Sequence, residues 1–420
     1  MSHRGDVVPA IRDNAERLIR LTQDLVRINS ENHPPDGNEG EVQRYIAAFW
    51  AKHGIEFDSF LPTDVAGFKS HPAFYDDGRD YQDRPVVVAK MPGQGGGRSL
   101  IFCGHVDTVP AVGEWNHPPY SAVIESGRLY GRGAFDMKGG VAAMMMAAAV
   151  LREMGVRLKG DLLIETVPDE EFAGSNGSVA ACARGYVADG AVIAEPTAMS
   201  VVTGHRGFRL AQVAITGKTG IEIYGEVTMN PVEHLVPVLE GIERFRESRK
   251  PITTEDTVMI TKLGANEFRR DELFTVPPEC RIEVNWQLTP EEEIAEIDRE
   301  FERVIRDTCA SDPYFVANPP EITYHVRPMP GSRIAEDSPL VAEIKHAAEQ
   351  VTGRRVETIG RFAPCDMFVF NKFAGIPALV FGPNGGGAHG PDEYVLVDDL
   401  LTCAEIYVNL AMNWCGMVSE

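Results

Sequence analysis

The sequence predicts an α/β protein of two domains, one inserted into the other, and three observations support this prediction. At 420 residues the chain exceeds what one ordinary hydrophobic core accommodates. Short apolar segments typical of buried strands alternate with amphipathic segments typical of helices, both early and late in the chain. In between, strands and helices follow the order of a two-layer α+β motif. We expect a mixed, mostly parallel sheet flanked by helices in residues 1–206 and 329–420, and a ferredoxin-like domain in residues 207–328.

The helices and strands of the larger domain are predicted from the spacing of apolar residues. A repeat of three to four positions indicates an amphipathic helix, and a short apolar run bounded by turn residues indicates a buried strand. The predicted helices span residues 12–29, 39–53, 141–154, 338–353 and 398–414. The predicted strands span residues 57–61, 86–91, 100–103, 161–167, 191–194, 356–359, 368–370 and 378–381, with a hairpin at 122–130.

The inserted domain begins near Gly207, where the pattern changes. The predicted strands span residues 208–216, 258–263, 281–288 and 321–326, and the predicted helices span residues 231–247 and 291–308. In chain order this gives strand, helix, strand, strand, helix, strand, which is the order of the ferredoxin-like fold.

Composition excludes several classes of function. The chain carries 62 acidic and 40 basic residues, a formal net charge of −22, whereas non-specific nucleic-acid binding needs a basic surface. We find no apolar segment with the length and flanks of a signal peptide or a membrane span. Seven cysteines are present without a Cys-x-x-Cys pair, which favours reduced thiols. Together these features predict a cytoplasmic protein that binds neither nucleic acid nor membrane.

Metal-ligating residue types follow several of the predicted strands. His105 and Asp107 come directly after the strand at 100–103, and residues two apart point to the same side of an extended backbone. Open α/β sheets place their ligands at this carboxyl edge. Further imidazole and carboxylate groups follow other strands or lie in glycine-rich loops: Asp136, Glu170, Glu171, Glu195 and His389. We expect these groups to meet at one edge of the sheet.

Taken one at a time, these residues have simpler interpretations. Glu170 and Glu171 alone indicate an exposed acidic turn, and Asp136 alone indicates a helix cap. Taken together, the residues supply the nitrogen and oxygen ligands that a pair of borderline divalent ions prefers. Such ions lower the pKa of a water between them, and a neighbouring glutamate that is not a ligand can accept its proton.

Five motifs stand in order along the chain: Gly104-His-Val-Asp-Thr-Val-Pro110, Gly131-Arg-Gly-Ala-Phe-Asp-Met-Lys-Gly-Gly140, Asp169-Glu-Glu171, Glu195-Pro-Thr197 and Ala388-His-Gly-Pro-Asp-Glu393. In this order they resemble the signatures of the di-zinc deacylase and carboxypeptidase family. Members of that family include acetylornithine deacetylase, succinyl-diaminopimelate desuccinylase, aminoacylases and glutamate carboxypeptidases. The resemblance covers roughly residues 10–206 and 330–415.

The resemblance implies a centre with two zinc ions, for which cobalt can substitute. The implied ligands are His105 and Glu195 for one ion, Glu171 and His389 for the other, and Asp136 as a bridge between them. Glu170 would act as the general base and acid, and Asp107 would orient His105. Residues 207–328 would be the lid and dimerisation domain of the family.

The sequence departs from the family in the inserted domain. The family usually has a histidine after the first strand of this domain, in a Gly-Lys-Ala-Ala-His pattern, where this chain has Gly217-Lys-Thr-Gly-Ile221. Loss of one donor to the reacting oxygen costs about 10²–10³ in rate. His205, His234 and His325 are candidate replacements, although each is also explained as an ordinary surface or helix histidine. One alternative is therefore a member of low or no activity that acts as a binding or assembly protein.

We expect a metal-dependent hydrolase of amide bonds, because the set of ligand-type residues is complete. Deacylation of an N-acyl amino acid, as by acetylornithine deacetylase, is the favoured reaction, and a metallo-carboxypeptidase or dipeptidase is the main alternative among enzymes. The expected partners are a small N-acyl amino acid or a short peptide as substrate, and a second copy of the chain bound through the inserted domain.

Overall fold

The computed structural model of the chain describes residues 7–220, 229–250, 257–266, 275–360 and 363–418. The chain folds into two compact units. The main unit comprises Met1–His205 and Ser332–Glu420, and the inserted unit comprises Arg206–Gly331. The mixed α/β class predicted from the sequence is confirmed.

The helices end and begin where local chemistry provides a stop or a cap. The second long helix stops at Gly54, which has a left-handed φ of 62°. Another begins after Ser338, whose side chain accepts the N–H of Leu340, and has proline at its first position. In chain order the described helices are α1 (Ala10–Asp13), α2 (Ala15–Arg27), α3 (Glu39–His53), α4 (Gly139–Glu153), α5 (Asn176–Arg184), α6 (Leu235–Arg249), α7 (Ile294–Cys309), α8 (Pro313–Ala317), α9 (Pro339–Thr352) and α10 (Val397–Cys415).

The described strands form two large sheets and several short ladders. In chain order they are β1 (Asn32–His33), β2 (Asp36–Gly37), β3 (Glu56–Phe60), β4 (Val86–Met91), β5 (Leu100–His105), β6 (Ile124–Glu125), β7 (Arg128–Tyr130), β8 (Leu162–Val167), β9 (Ala191–Ile193), β10 (Val201–Val202), β11 (Gly204–His205), β12 (Gly207–Thr216), β13 (Val258–Gly264), β14 (Glu279–Leu288), β15 (Glu321–Thr323), β16 (Ser332–Arg333), β17 (Thr358–Ile359), β18 (Ala378–Val380), β19 (Gly385–Gly386) and β20 (Tyr394–Leu396).

The main unit is organised around an eight-stranded sheet in the order β17-β10-β18-β9-β5-β8-β4-β3. Its centre is parallel, because β5 pairs in parallel with both β8 and β9, and β9 pairs in parallel with β18. Every residue of β5 and β8 is buried, which explains why these strands are nearly continuous apolar runs. Strands β4 and β3 add antiparallel pairs at one side.

Helix α4 lies in the core of the main unit and is rich in alanine and methionine. A Cβ added at Gly140 would lie 2.0 Å from the carbonyl oxygen of Ala194, so only glycine lets the helix approach the end of β9 this closely. The sequence predicted no membrane span. Among the described residues, however, the segment Ala134–Glu153 has the length and mean hydropathy of a membrane-spanning helix. Of its most apolar window, 89% is buried inside the protein, as in the core helix of a folded domain.

The inserted unit has the predicted order of strands and helices. Its antiparallel sheet runs β13-β14-β12-β15, and the connections between its strands are those of a ferredoxin-like fold. Strands β12 and β14 alternate between buried and partly exposed residues, so one face of the sheet packs into a core. In that core the Trp286 ring lies 5.3 Å from the Phe245 ring and 4.7 Å from the Phe301 ring, centre to centre.

One predicted strand of the main unit is wrong. Residues 368–370 lie in a helical segment that continues through the wide turn Val369–Ala374. All three residues are buried, and a short apolar run is equally compatible with a buried strand or a buried helix. Some short elements were not predicted, among them α5, α8, β10 and β20. Other differences concern boundaries: α6, for example, begins at Leu235 rather than at residue 231.

Candidate metal centre

Three parallel strands deliver ligand-type residues to one edge of the main sheet. Strand β5 ends with His105, β8 ends shortly before Glu170 and Glu171, and β9 ends two residues before Glu195. Because β5 pairs in parallel with β8 and with β9, the carboxyl ends of all three strands lie side by side. The small ladder of β7 and β20 adds the loops that carry Asp136 and His389.

The first group, called the inner pocket here, consists of His105, Asp136 and Glu195. One ligand atom of each lies within 4.8 Å of the others. His105 Nε2 is 3.2 Å from Asp136 Oδ1 and 3.5 Å from Glu195 Oε1. His105 and Glu195 are buried. One imidazole nitrogen and two carboxylate oxygens at these distances fit a divalent cation.

The second group, called the outer pocket, consists of Asp136, Glu171 and His389, again with ligand atoms within 4.8 Å of one another. His389 Nε2 is 3.3 Å from Asp136 Oδ2 and 3.1 Å from Glu171 Oε2. The His389 side chain is 55% exposed, so this pocket opens to the surface. Asp136 therefore presents one oxygen to each pocket, which is the geometry of a bridging carboxylate. The structure brings all five predicted ligands together.

Carboxylates outnumber imidazoles in this centre, and the pKa values of the imidazoles reflect that. Hydrogen bonds to Asp136 and Glu171 raise the pKa of His389 to about 10. Burial lowers the pKa of His105, but the charge of Glu195 and hydrogen bonds to neighbouring carboxylates raise it well above its ordinary value. A field that stabilises protonated imidazoles is negative. The same field would stabilise divalent cations.

Glu170 lies beside the two pockets without belonging to either group. Its Oε2 is 3.9 Å from His105 Nε2. Burial raises the pKa of Glu170 well above its ordinary value; the charge of His105 opposes this and that of Glu195 adds to it. A carboxyl group with a raised pKa, next to a cation site, is suited to proton transfer.

Asp107 makes different contacts from those expected. Its carboxylate accepts the backbone N–H of Glu170 at 3.1 Å and of Glu171 at 2.9 Å, and an N–H of Asn32 at 2.9 Å. The Nδ1 of His105 lies 3.0 Å from the carbonyl oxygen of Asp107 and 3.6 Å from its carboxylate. Asp107 thus orients His105 mainly through its backbone, while its side chain fixes the turn that carries both glutamates.

The same turn is held from the other side by Asp169, which has a left-handed φ of 64°. Its carboxylate accepts a hydrogen bond from Tyr81 Oη at 2.6 Å and pairs with Arg79 and, at 3.4 Å, with Arg84. The carbonyl of Phe172, another residue of positive φ, accepts a bond from Arg79 at 2.7 Å. A backbone with positive φ is strained in residues other than glycine and persists only where surrounding contacts hold it. The contacts of Asp169 and Phe172 hold this turn.

Sequence reasoning did not identify the residues that hold the ligand-bearing turns. Arg79, Tyr81 and Arg84 act on a turn about 90 residues further along the chain, and no local pattern marks such a contact. Glu393 contacts the turn of Asp136. It is the last residue of the fifth sequence motif, but the sequence assigned it no function. Its position four residues after His389 was the available signal.

The predicted departure from the family, Ile221, lies outside the described residues. Two candidate replacements in the inserted unit have partners within that unit. His234 Nδ1 is 2.8 Å from Asp312 Oδ2, and its ring stacks on Tyr314. His325 Nε2 is 2.9 Å from Thr323 Oγ1. The third candidate, His205, is buried in β11 of the main unit.

Comparison with known proteins extends this picture. The sequence pattern of peptidase family M20/M25/M40 matches residues 101–413. An N-formyl-4-amino-5-aminomethyl-2-methylpyrimidine deformylase from Halalkalibacterium halodurans is 28% identical over 446 residues, covering 98% of this chain and 97% of the relative. The crystal structure of a Staphylococcus aureus tripeptidase has a TM-score of 0.75 at 19% identity and covers 96% of this chain and 99% of its own. A dinuclear metal-binding M20 peptidase from Bacillus subtilis has a TM-score of 0.65 at 16% identity, with 97% and 100% covered.

The fold and the two cation pockets at the edge of its sheet define a metal-dependent hydrolase. The chain belongs to peptidase family M20/M25/M40, whose pattern matches about three quarters of its length. The resemblance found in the sequence motifs is thereby confirmed.

Proposed function

We propose that this chain is a two-metal amidohydrolase that removes a short acyl group from the nitrogen of a small amine. The observation that carries the proposal is Asp136, which presents one carboxylate oxygen to each pocket. Cations held by a shared carboxylate lie close enough to act on one amide group together. Glu170, beside the pockets but outside both groups, is the proton carrier that such a reaction needs.

We assign the inner cation to His105, Asp136 and Glu195, and the outer cation to Asp136, Glu171 and His389. Their nitrogen and oxygen donors fit zinc, with cobalt as a substitute. When bound, the two cations would polarise the amide carbonyl and lower the pKa of a water between them. Metal analysis of protein purified without chelator should find about two ions per chain; none would contradict the centre.

Glu170 moves the proton in the proposed reaction. Its carboxylate takes a proton from the attacking water while the water oxygen bonds to the carbonyl carbon. It then delivers that proton to the amide nitrogen as the carbon–nitrogen bond breaks, which gives a free amine and a carboxylic acid. The N–H bonds that Glu170 and Glu171 donate to Asp107 hold both residues at the sheet edge during these steps.

Within this class we propose formyl as the first candidate acyl group and an aminopyrimidine as the first candidate amine. The support is that two relatives named as deformylases of an N-formyl aminopyrimidine align over 97% of their length with this chain, at 28% and 26% identity. The second candidate is an N-acetyl amino acid, as for acetylornithine deacetylase, which the sequence motifs favoured.

A substrate panel tests this proposal. Zinc- and cobalt-loaded enzyme would be given N-formyl amines, N-acetyl amines, N-acetyl amino acids and dipeptides, with amine release measured for each. We expect the N-formyl aminopyrimidine to give the highest kcat/KM. If only the dipeptides were hydrolysed, the protein would be a peptidase and the proposed deacylation would be wrong. If two ions bind and no amide is cleaved, the non-catalytic alternative would stand instead.

We also propose a cytoplasmic homodimer formed through the inserted unit. Strand β13 lies at the edge of the sheet that the described residues of this unit form, and its Met259 and Leu263 side chains are exposed. An exposed apolar edge strand is a surface that a second chain can cover. All seven cysteines are free and buried, which supports a reducing compartment. Sedimentation of the parent and of Met259→Lys would test the dimer.

A further inference from the structure

The bridging residue Asp136 lies in an irregular turn whose backbone N–H groups need hydrogen-bond partners from outside the turn. Its φ and ψ of −116° and 94° are not helical, although the surrounding segment Ala134–Lys138 leads directly into α4. The turn begins at Gly133, whose φ is 79°. Backbone N–H groups in such a turn lack the partners that a regular helix provides and need others. The positions of both carboxylate oxygens of Asp136 therefore depend on the groups that accept these N–H bonds.

One carboxylate, that of Glu393, supplies three of these partners. Its Oε1 accepts the N–H of Phe135 at 3.0 Å and of Asp136 at 2.9 Å. Its Oε2 accepts the N–H of Gly133 at 3.0 Å and a bond from Arg132 Nη1 at 2.6 Å. Glu393 and Arg132 are both buried, at 0% and 1% exposure. Each carboxylate oxygen therefore accepts two hydrogen bonds away from water.

Glu393 also belongs to the segment that carries the outer histidine. It stands four residues after His389 and directly before β20, which pairs with β7. Its carbonyl accepts the N–H of Gly131 at 2.8 Å. Through its side chain and its backbone, Glu393 thus joins the turn of Asp136 to the loop of His389. Two of the three outer ligands depend on this connection, whereas only one inner ligand does.

We propose that Glu393 is a positioning residue that sets the affinity of the outer pocket for its cation. A neutral or shorter side chain would release N–H groups of the Asp136 turn and loosen it relative to His389. Outer partners of metal ligands typically change metal affinity by about 10–100-fold when they are substituted. The inference rests on the proposed two-cation centre and not on any particular substrate.

The first test is Glu393→Gln, with cation binding measured by competition against a chelator of known affinity and by the absorption spectrum of cobalt-loaded protein. The amide replaces one acceptor oxygen by a donor, which faces the donors of the turn. We expect one cation per chain to be held nearly as in the parent, and the second to be held about 10–100-fold more weakly. Glu393→Asp keeps the charge but has a shorter side chain, so its affinity for the second cation should lie between those of the parent and of Glu393→Gln. This variant provides the test if the glutamine variant does not fold.

A matched control lies in the inserted unit. Glu292 pairs with the buried Arg249 at 2.8 Å and accepts the N–H of Thr289 at 2.7 Å, so it resembles Glu393 in its bonding, although 13% of its side chain is exposed. Glu292→Gln should lower the melting temperature of the metal-free protein and leave cation affinity unchanged. Arg132→Lys leaves in place the three backbone N–H bonds that Glu393 accepts. It should therefore weaken binding of the outer cation less than Glu393→Gln does.

Two results would overturn the inference. One is a folded Glu393→Gln variant that binds both cations as tightly as the parent. The other is an equal loss of cation affinity in Glu292→Gln, which would make the effect one of general stability. If the parent itself bound no cation, the two-cation centre would fail instead, so the two failures are distinguishable.

Discussion

The surroundings of the metal centre in the main unit and the core of the inserted unit bury different kinds of side chain. The core of the inserted unit is an apolar cluster centred on Trp286, Phe245 and Phe301. Around the metal centre of the main unit, by contrast, charged side chains are buried almost completely: Glu39, Arg84, Asp107, Arg132, Lys138, Asp169 and Glu393. Each unit contains both kinds of residue, but the balance near the metal centre is unusual for a protein interior.

The difference separates what stabilises the fold from what shapes the site. Burying a charge costs free energy unless partners replace water, and a buried pair adds little net stability over an apolar pair of similar size. The seven charged side chains named above have such partners: Arg84, for example, donates to Glu39 at 2.8 and 2.6 Å. Their effect is to fix the turns that carry ligands. Substitutions at the metal centre should therefore change chemistry, and substitutions in the inserted core should change stability alone.

The largest expected effect is on rate. Glu170→Gln keeps the shape of the side chain but cannot accept a proton, so kcat should fall by about 10²–10⁴-fold. Because Glu170 lies outside both pockets, the variant should still bind about two cations and melt near the temperature of the parent. Amine release, metal content and a thermal melt measured on one preparation check all three. Unchanged turnover would refute the role of Glu170 as base.

The second effect is on stability. Trp286 is completely buried and contacts two other aromatic rings, so Trp286→Ala should destabilise the inserted unit by about 3–5 kcal/mol. Cation affinity should not change. Denaturant unfolding together with a chelator competition would measure both quantities. Weaker binding of either cation in this folded variant would break the distinction between the two units.

The sequence predicted most of the architecture because that information is local. Apolar periodicity located the helices, and the strand–helix order of the inserted unit indicated its topology. His105, Glu171 and Glu195 were found because strands β5, β8 and β9 end at or close before them, and parallel strands share an edge. The other two ligand-type residues, Asp136 and His389, were found in glycine-rich segments. Residues 368–370 were assigned wrongly because three apolar residues carry no period that separates a helix from a strand.

What the sequence could not predict are contacts between distant segments. The carboxylate of Asp107 bonds to N–H groups more than 60 residues away, and Glu393 bonds to a turn more than 250 residues away. No spacing rule encodes such pairs. The specific role of Asp107 in holding the Glu170–Glu171 turn, and that of Glu393 in holding the Asp136 turn, depend on the three-dimensional arrangement.

Glu165 is a buried carboxyl group of the main unit that lies outside both pockets, so it tests whether a buried charge there can affect stability. Neither carboxylate oxygen of Glu165, in β8, has a hydrogen-bond partner among the described residues. Burial, with the charge of Asp366 as a smaller cause, raises its pKa to about 8. The folded protein therefore keeps the proton while the unfolded chain loses it above its ordinary pKa of 4.5. The stability that Glu165 contributes is present below that value and is lost as the pH rises toward 8.

Glu165→Gln should remove this dependence. The parent should lose up to about 1.4 kcal/mol of stability per pH unit from this group between about pH 5 and pH 8. The glutamine variant, which mimics the protonated form, should not. Free energies of unfolding in urea, measured for both proteins across that range, give the difference directly. A constant difference between them at every pH would show that Glu165 ionises normally in the folded protein.

The smallest expected effect concerns the histidines of the inserted unit. His234 is bound to Asp312 and stacked on Tyr314 with ring centres 3.9 Å apart, and the pair is partly exposed. Exposed ion pairs contribute about 0–1 kcal/mol, and an aromatic pair about 0.5–1.5 kcal/mol. His234→Gln should therefore lower stability slightly and leave turnover unchanged, and His325→Gln, which loses a bond to Thr323, should do still less.

Amine release by the two histidine variants, measured beside their thermal melts, checks this expectation. Removing one oxyanion donor slows an enzyme by about 100-fold or more. If turnover by His234→Gln fell that far, the distinction between the units would be contradicted. The result would identify His234 as the replacement for the imidazole that the family usually has where this chain has Ile221.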